Sequence, residues 1–254
     1  MSRPTIDFSG RVALVTGGSR GIGRACCERL AEAGASVAVN YRSNETAARE
    51  TAESVEAAGA RALTVRADVS KEAEVARLVN DVQASLGPID LLVNNAGIFD
   101  FVSHAETTTE LWQRTLDSNL TGAFHVIWAV KDGMMERGYG RIVNVSSISA
   151  LAPRPMSIAY AVSKAGMVAL TQSVAEPLAA HNVRINAVAP GLIDTEIISG
   201  VDQTQLDALI ASTPMGRVGN VKDVADSVLF LLSDLSSFTT GQTIVCSGGR
   251  VMLP

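Results

Sequence analysis

Two short stretches of this chain, Val12-Ala13-Leu14-Val15 and Leu91-Leu92-Val93, are apolar at every position. A strand with one wet face alternates polar and apolar residues, so a strand apolar throughout must be covered on both sides. Helices packed on the two faces of a parallel sheet meet that requirement, and the chain supplies the alternation such a sheet needs. Strand candidates at 11–16, 36–40, 62–66, 89–94, 141–146, 183–189 and 242–246 are separated by helical periodicity at 21–33, 44–58, 71–86, 107–137, 158–180 and 222–233. Right-handed crossovers between them predict an α/β fold of doubly wound type. Its mostly parallel, seven-stranded sheet carries helices on both faces, and residues 1–254 form one domain. Ligands of such sheets lie beyond the carboxyl ends of the strands.

The first strand runs into Thr16-Gly17-Gly18-Ser19-Arg20-Gly21-Ile22-Gly23 and then a helix. Glycines allow a tight turn and close backbone approach, while the helix start offers free N–H groups and a partial positive charge to a pyrophosphate. The spacing Gly17-x-x-x-Gly21-x-Gly23 departs from G-x-G-x-x-G but occupies the same strand–turn–helix position, which makes the fold Rossmann-like. The second strand ends Val39-Asn40-Tyr41-Arg42. No carboxylate stands there to take the ribose hydroxyl of NAD, whereas Arg20 and Arg42 suit a 2′-phosphate, so NADP(H) is expected over NAD(H). Asp68-Val69 follows the third strand and Asn94-Asn95-Ala96-Gly97 ends the fourth. Either segment could be only a cap or a turn, yet both fall at the ligand edge.

Tyr160 and Lys164 are spaced i, i+4 on a predicted helix, so phenol and ammonium share a face. A neighbouring cation favours the phenolate; lowering a phenol's pKa by roughly three units takes about 4 kcal/mol. Ser147, thirteen residues upstream at the end of an apolar strand, could hydrogen-bond the same substrate oxygen. Ser146 is its neighbour, and successive strand residues point to opposite sides, so one of the two faces the site.

Composition excludes several classes. A net charge of −5 and the lack of a basic tract argue against nucleic acid or an anionic membrane as partner. No apolar run is long enough to span a bilayer and the first residues show no signal-peptide core, so a cytoplasmic protein is expected. Cys26, Cys27 and Cys246, with His104, His125 and His181, show no metal-ligand spacing. The interval 190–221 exceeds the usual loop length, carries a short helix at 203–211, and reads as a substrate lid at about 192–213.

Taken together and in order, the glycine turn, Asn94-Asn95-Ala96-Gly97 and Ser147…Tyr160-x-x-x-Lys164 closely resemble the short-chain dehydrogenase/reductase family. The resemblance extends through Asp68-Val69, Asn119, Pro190-Gly191-Leu192-Ile193-Asp194-Thr195 and Thr240-Gly241-Gln242, covering roughly residues 9–250. It implies a cofactor site of Gly17, Ser19, Arg20, Gly21, Ile22, Gly23, Asn40 and Arg42, with Asp68 and Val69 at the adenine. Asn95, Ala96 and Gly97 would line the adenine-ribose side, and Pro190, Gly191, Ile193 and Thr195 would hold the nicotinamide amide and pyrophosphate. The same resemblance makes Tyr160 the general acid in carbonyl reduction and Ser147, by its thirteen-residue spacing, the group that orients the substrate oxygen. Lys164 would bind the nicotinamide ribose and depress the tyrosine pKa. Asn119 would bend its helix and hold a water toward Lys164.

Within the family, the chain most resembles 3-oxoacyl-[acyl-carrier-protein] reductases, which implies a small-molecule or acyl-thioester carbonyl substrate and a homotetramer built from 107–137, 158–180 and the last strand. Alcohol, sugar and steroid dehydrogenases share these features, and a nucleotide-binding sensor without chemistry is a further alternative. Phe99, Phe101, Leu151, Met156, Ile197 and Ile198 could enclose an apolar pocket. Several departures bear on the substrate. Of two basic positions that would greet an acidic carrier, Arg137 is present and His181 replaces the other; Pro153 and Pro155 stiffen 148–157. Pro177 should kink its helix, and Ser247-Gly248-Gly249 alters a tail contact.

Overall fold

The first strand, β1 (Val12–Val15), sends Ala13 and Val15 into one hydrophobic core and Val12 and Leu14 into another. The same division holds for Leu91 and Val93 against Leu92, and for Val143 and Val145 against Ile142. In the computed structural model, which describes residues 6–153, 155–195 and 202–252, this two-sided burial is why the strands carry no polar alternation.

The remaining elements are α1 (Gly21–Glu32), β2 (Ser36–Tyr41), α2 (Glu45–Ala57), β3 (Ala62–Arg66), α3 (Glu72–Ser85) and β4 (Leu91–Asn94). They continue with α4 (Thr109–Leu116), a π-helical turn (Asp117–Thr121), α5 (Gly122–Glu136), β5 (Gly140–Val145) and α6 (Ile158–Ala179). The chain closes through β6 (Val183–Pro190), α7 (Gln203–Ala211), α8 (Val221–Leu232) and β7 (Thr243–Cys246). The seven strands form one sheet in the order β3-β2-β1-β4-β5-β6-β7, with every pairing parallel. α1, α2 and α8 cover one face through residues such as Leu30, Val55 and Val228; α3, α5 and α6 cover the other through Leu78, Ile127 and Leu178. Each fully buried side chain of this size contributes about 2 kcal/mol of transfer free energy. The strand order reverses between β1 and β4, so the crevice at their carboxyl ends is where a ligand finds room.

The expected sheet therefore stands, all-parallel. The helical stretch expected over 107–137, with the bend that the resemblance implies at Asn119, is interrupted at that place. It is two α-helices joined by the π turn at Asp117–Thr121, whose extra residue carries Asn119 to full burial. Pro177 sits in the last turn of α6, where the helix runs only two residues further and one backbone hydrogen bond is forgone. Val174 of α6 belongs to the chain's own core. Arg137 donates to the Ile89 carbonyl at 2.7 Å, and His181 precedes β6; both stand at the amino edge of the sheet, opposite the strand ends that carry the candidate catalytic residues. Ile197 and Ile198 lie outside the described residues, and among the described residues no helix is long and apolar enough to cross a membrane.

Candidate active site

The glycine turn after β1 is shaped by close approach. Gly17 has φ +60°, and a Cβ on Gly23 would stand 2.2 Å from the Gly17 carbonyl oxygen and 2.6 Å from Asn95 Nδ2. A side chain there would force α1 off the turn, so glycine is obligatory. Two asparagines brace the turn from neighbouring strands. Asn40, 1% exposed, accepts from Gly17 N at 3.3 Å and donates to the Val65 and Ala67 carbonyls at 3.3 and 3.1 Å. Asn95 donates to the Thr16 and Gly17 carbonyls at 3.1 and 3.0 Å. Thr16 Oγ1 accepts from the Asn95 and Ala96 amides at 3.0 and 3.1 Å. The Asn40 side chain and the Asn95 side-chain nitrogen therefore hold the turn in shape.

α1 begins at Gly21 with no acidic residue in its first turn and no side-chain cap from Arg20. Its first N–H groups and partial positive charge thus face the turn without an internal anion, the chemistry that a pyrophosphate requires. Gly21 lies against Thr195, with a Cβ on it 3.6 Å from Thr195 Cγ2, so the 190–195 segment closes over the turn from the far side. Gly191 N donates to the Cys246 carbonyl at 2.8 Å, and Ile193 bridges to Gly219, which fixes that segment on β7 and the start of α8. Beyond β2 and β3 an open cavity of about 630 Å³ is lined by Arg42, Asp68, Ser70, Lys71, Arg114 and Asp117 among others. Asp68 caps its own loop by accepting from Ser70 N and Oγ at 3.0 and 2.8 Å, and still lines the cavity. Exposed Arg20 ends the glycine turn, and Ser19 accepts from Thr51 Oγ1 at 3.2 Å. Ile22 packs on the core beneath, and buried Val69 accepts from His125 Nδ1 through its carbonyl.

A second group gathers at the carboxyl ends of β4 and β5. Ser147, two residues past β5, is extended and caps a short 3₁₀ turn, its hydroxyl accepting from Ser149 N at 3.1 Å. It also lies near enough to the Tyr160 phenol to favour its ionised form. Lys164, 4% exposed, donates through Nζ to the Val145 carbonyl at 2.8 Å and lies 5.7 Å from the centre of the Tyr160 ring. A Cβ on Gly97 would come within 3.6 Å of that Nζ and 3.1 Å of Asn119 Oδ1, so Gly97 leaves the gap through which ammonium and amide approach one another. Asn119 accepts from Ile98 N at 2.7 Å and donates to the Ile98 carbonyl and Ser163 Oγ at 2.9 and 3.1 Å. Ser146 turns the other way, to the Lys164 carbonyl.

Behind this group, side chains given no role by the sequence complete the frame. Asn94 donates to Asn144 Oδ1, and Asn144 donates to Thr171 Oγ1, each at 2.9 Å, which ties β4, β5 and α6 together inside the core. Such a buried polar chain fixes the helix's position along the sheet, and asparagines at consecutive strand ends are its sequence signal. Ser157, at φ 67°, turns the chain into α6 just before Tyr160.

Burial dominates the titration of the pair. It lowers Lys164 from its ordinary 10.5 to about 8, and packing around the ring raises Tyr160, with Ser147 opposing that rise. The protein's own groups therefore do not deliver the depressed phenol expected from the i, i+4 pairing. Lys164 spends a hydrogen on the Val145 carbonyl, and burial of the ring outweighs the opposing effect of Ser147.

A doubly wound sheet with a dinucleotide-shaped turn at β1 and a serine, a tyrosine and a lysine at the ends of β4, β5 and α6 defines a pyridine-nucleotide oxidoreductase. The chain belongs to the short-chain dehydrogenase/reductase family. The family model described as "Enoyl-(Acyl carrier protein) reductase" matches residues 17–250. Acetoacetyl-CoA reductase of Rhizobium meliloti is 41% identical over 241 residues, covering 94% of this chain and 98% of that protein. A 3-oxoacyl-[acyl-carrier-protein] reductase of Staphylococcus epidermidis is 37% identical over 240 residues, with the same 94% and 98% covered. A 3beta-hydroxysteroid dehydrogenase of Eggerthella lenta is 39% identical over 251 residues, covering 98% of this chain and 96% of that protein. The chain is thus an oxidoreductase acting on CH–OH and C=O groups, and the family implies a nicotinamide cofactor.

Proposed function

We propose that the whole chain works as a single catalytic domain that reduces a carbonyl compound to a secondary alcohol at the expense of NADPH, with 3-oxoacyl thioesters as the leading substrates. The observation that carries this reading is the convergence of Ser147, Tyr160 and Lys164 beside Gly97, on the edge where the glycine turn opens. Bound nicotinamide supplies the hydride. The chain's residues do the rest. Ser147 and the Tyr160 hydroxyl hold the carbonyl oxygen, and Tyr160 gives it a proton as charge develops there. A phenol kept protonated by burial suits an acid in that direction. Lys164 stabilises the phenolate left behind and carries an ammonium near the ribose hydroxyls. Because the side-chain amide of Asn119 is spent on Ile98 and Ser163, a water held toward Lys164 would attach to a main-chain carbonyl of the π turn.

The cofactor is NADP(H) in this reading, taken by Arg42 at the rim of the cavity and Arg20 at the turn. Asp68 and Val69 flank its adenine, and Ala96, Gly97, Pro190, Gly191, Ile193 and Thr195 border the rest, with residues 192–213 as lid. The protein works in the cytoplasm as a homotetramer, a state that the exposed Phe124 and Trp128 of α5 and Val162 of α6 favour. Fluorescence titration with NADPH and NADH, followed by NADPH oxidation with acetoacetyl and longer 3-oxoacyl thioesters, tests the reading. Tighter binding of NADH, or firm NADPH binding without turnover on any carbonyl, overturns it. An alcohol or steroid dehydrogenase is the second reading, favoured by the hydroxysteroid relative and by the Phe99 ring beside Tyr160.

A further inference from the structure

The segment after β4 has no regular secondary structure, yet it is pinned at both ends. Ile98 is held by the Asn119 amide through its N–H and its carbonyl, and the Val102 carbonyl accepts from Ser157 N at 2.9 Å. Between these anchors, Asp100 is drawn to Arg114 on α4, with a 2.8 Å ion pair. The flanking rings, Phe99 and Phe101, lie 6.5 Å apart, and Phe99 meets the Tyr160 ring edge-on at 5.0 Å. Phe99 is 37% exposed and Phe101 70% exposed. Two phenyl rings are therefore held in the open beside the phenol that the reading above makes the acid, while the one charged side chain between them is ion-paired to α4. Such rings offer apolar area and no hydrogen-bond donor or acceptor, and their preset position means that covering them costs little ordering.

Resting on the carbonyl-reductase reading, we propose that Phe99 and Phe101 are the specificity-determining wall of the site, selecting carbonyl compounds whose body beyond the carbonyl is a bulky apolar group. Either a 3-oxoacyl tail well beyond four carbons or a fused ring system supplies that group. The small methyl end of an acetoacetyl thioester does not reach across the wall. The polar thioester arm leaves the site on another side, since neither ring has anything to offer it.

The test compares kcat/KM, with NADPH, for the N-acetylcysteamine thioesters of acetoacetate and 3-oxodecanoate and for trans-1-decalone. The unmodified protein should favour 3-oxodecanoyl over acetoacetyl by about 10-fold or more, carried mainly in KM. Phe99→Ala and Phe101→Ala should each cut that preference by about fivefold. Phe101→Ala matters most for interpretation, because Phe101 is largely exposed and its ring neighbours Phe99, with Phe99 the ring that packs on Tyr160, so its removal leaves the phenol's own ring contact in place. A parallel loss on decalone assigns the wall to rings as well as tails; a loss confined to the thioester assigns it to tails. Equal kcat/KM for the four- and ten-carbon substrates in the unmodified protein overturns the proposal, as do variants that lose both in equal measure. Calorimetric binding of the 3-hydroxydecanoyl thioester to the protein with NADPH, where no oxidised cofactor is present to take a hydride from it, reads the wall without turnover. Binding weakened about fivefold by Phe101→Ala supports the wall even if no carbonyl is reduced, whereas unchanged binding sinks it while leaving the reductase reading standing.

Discussion

The Ser146 hydroxyl donates to the Lys164 carbonyl at 2.9 Å, while the Lys164 ammonium donates back to the Val145 carbonyl at 2.8 Å. Strand end and helix are clasped by this exchange, which leaves the next residue, Ser147, as the serine that meets Tyr160. Two adjacent serines thus divide the work, one holding α6 in place and the other facing the chemistry.

That division gives the first expectation. Ser147→Ala should lower kcat for carbonyl reduction by about 10²–10³, in the range for loss of one donor to a developing oxyanion. Ser146→Ala should cost about 1 kcal/mol of stability, read as a shifted urea midpoint, with under about 10-fold loss of turnover. The reverse order would place the wrong serine in the site.

Lys164 supplies the second. Its folded-state value of about 8 lies below the ordinary 10.5, so between these pH values the unfolded chain holds a proton that the folded protein has released. Stability therefore rises with pH across that window, and the penalty for burying the ammonium is fully present below about 8. Between pH 7.5 and 9.5 the unfolding free energy of the unmodified protein should gain about 2 kcal/mol relative to Lys164→Met. Over the same range kcat/KM for reduction should decline, because the ammonium that stabilises the phenolate is lost. A difference between the two proteins that does not change with pH would mean that Lys164 titrates normally.

Asn119 supplies the third. Its amide satisfies the N–H and carbonyl of Ile98 and the hydroxyl of Ser163 from a fully buried position. Asn119→Leu leaves these groups unpaired in a dry site and should cost about 3 kcal/mol, measured by urea denaturation, with loss of turnover as the 98–102 segment comes free. Stability within about 0.5 kcal/mol of the unmodified protein would show that water replaces the amide without penalty.

The sheet was legible because its physics is one-dimensional: a run such as Leu91-Leu92-Val93 states on its own that both faces are covered. Tyr160 and Lys164 were legible for a related reason, since an i, i+4 spacing on a helix fixes a neighbourhood. The break at Asp117–Thr121 was not. Helical periodicity does not mark it; only the family resemblance points to a bend at Asn119, and the bonds that accompany it run between the Asn119 amide and the main chain of Ile98, distant in sequence. The asparagines show the same limit. Asn40 and Asn95 are on the nucleotide edge as expected, but which of their atoms remain for a ligand depends on carbonyls supplied by other strands. The titration of Tyr160 reversed for a similar reason: desolvation is set by everything packed around the ring, which no short motif encodes.

The π turn has one more consequence. Each residue of an α-helix advances the chain by about 100° around the axis, so a turn that takes in one residue extra leaves the two helical segments rotated against each other by that amount. Removing Asp117, Ser118, Leu120 or Thr121 would restore the α-helical count and would swing Asn119 away from Ile98 and the lysine. At this point the site depends on how many residues the chain contains more than on which ones they are, so a one-residue deletion would be more damaging than most substitutions nearby.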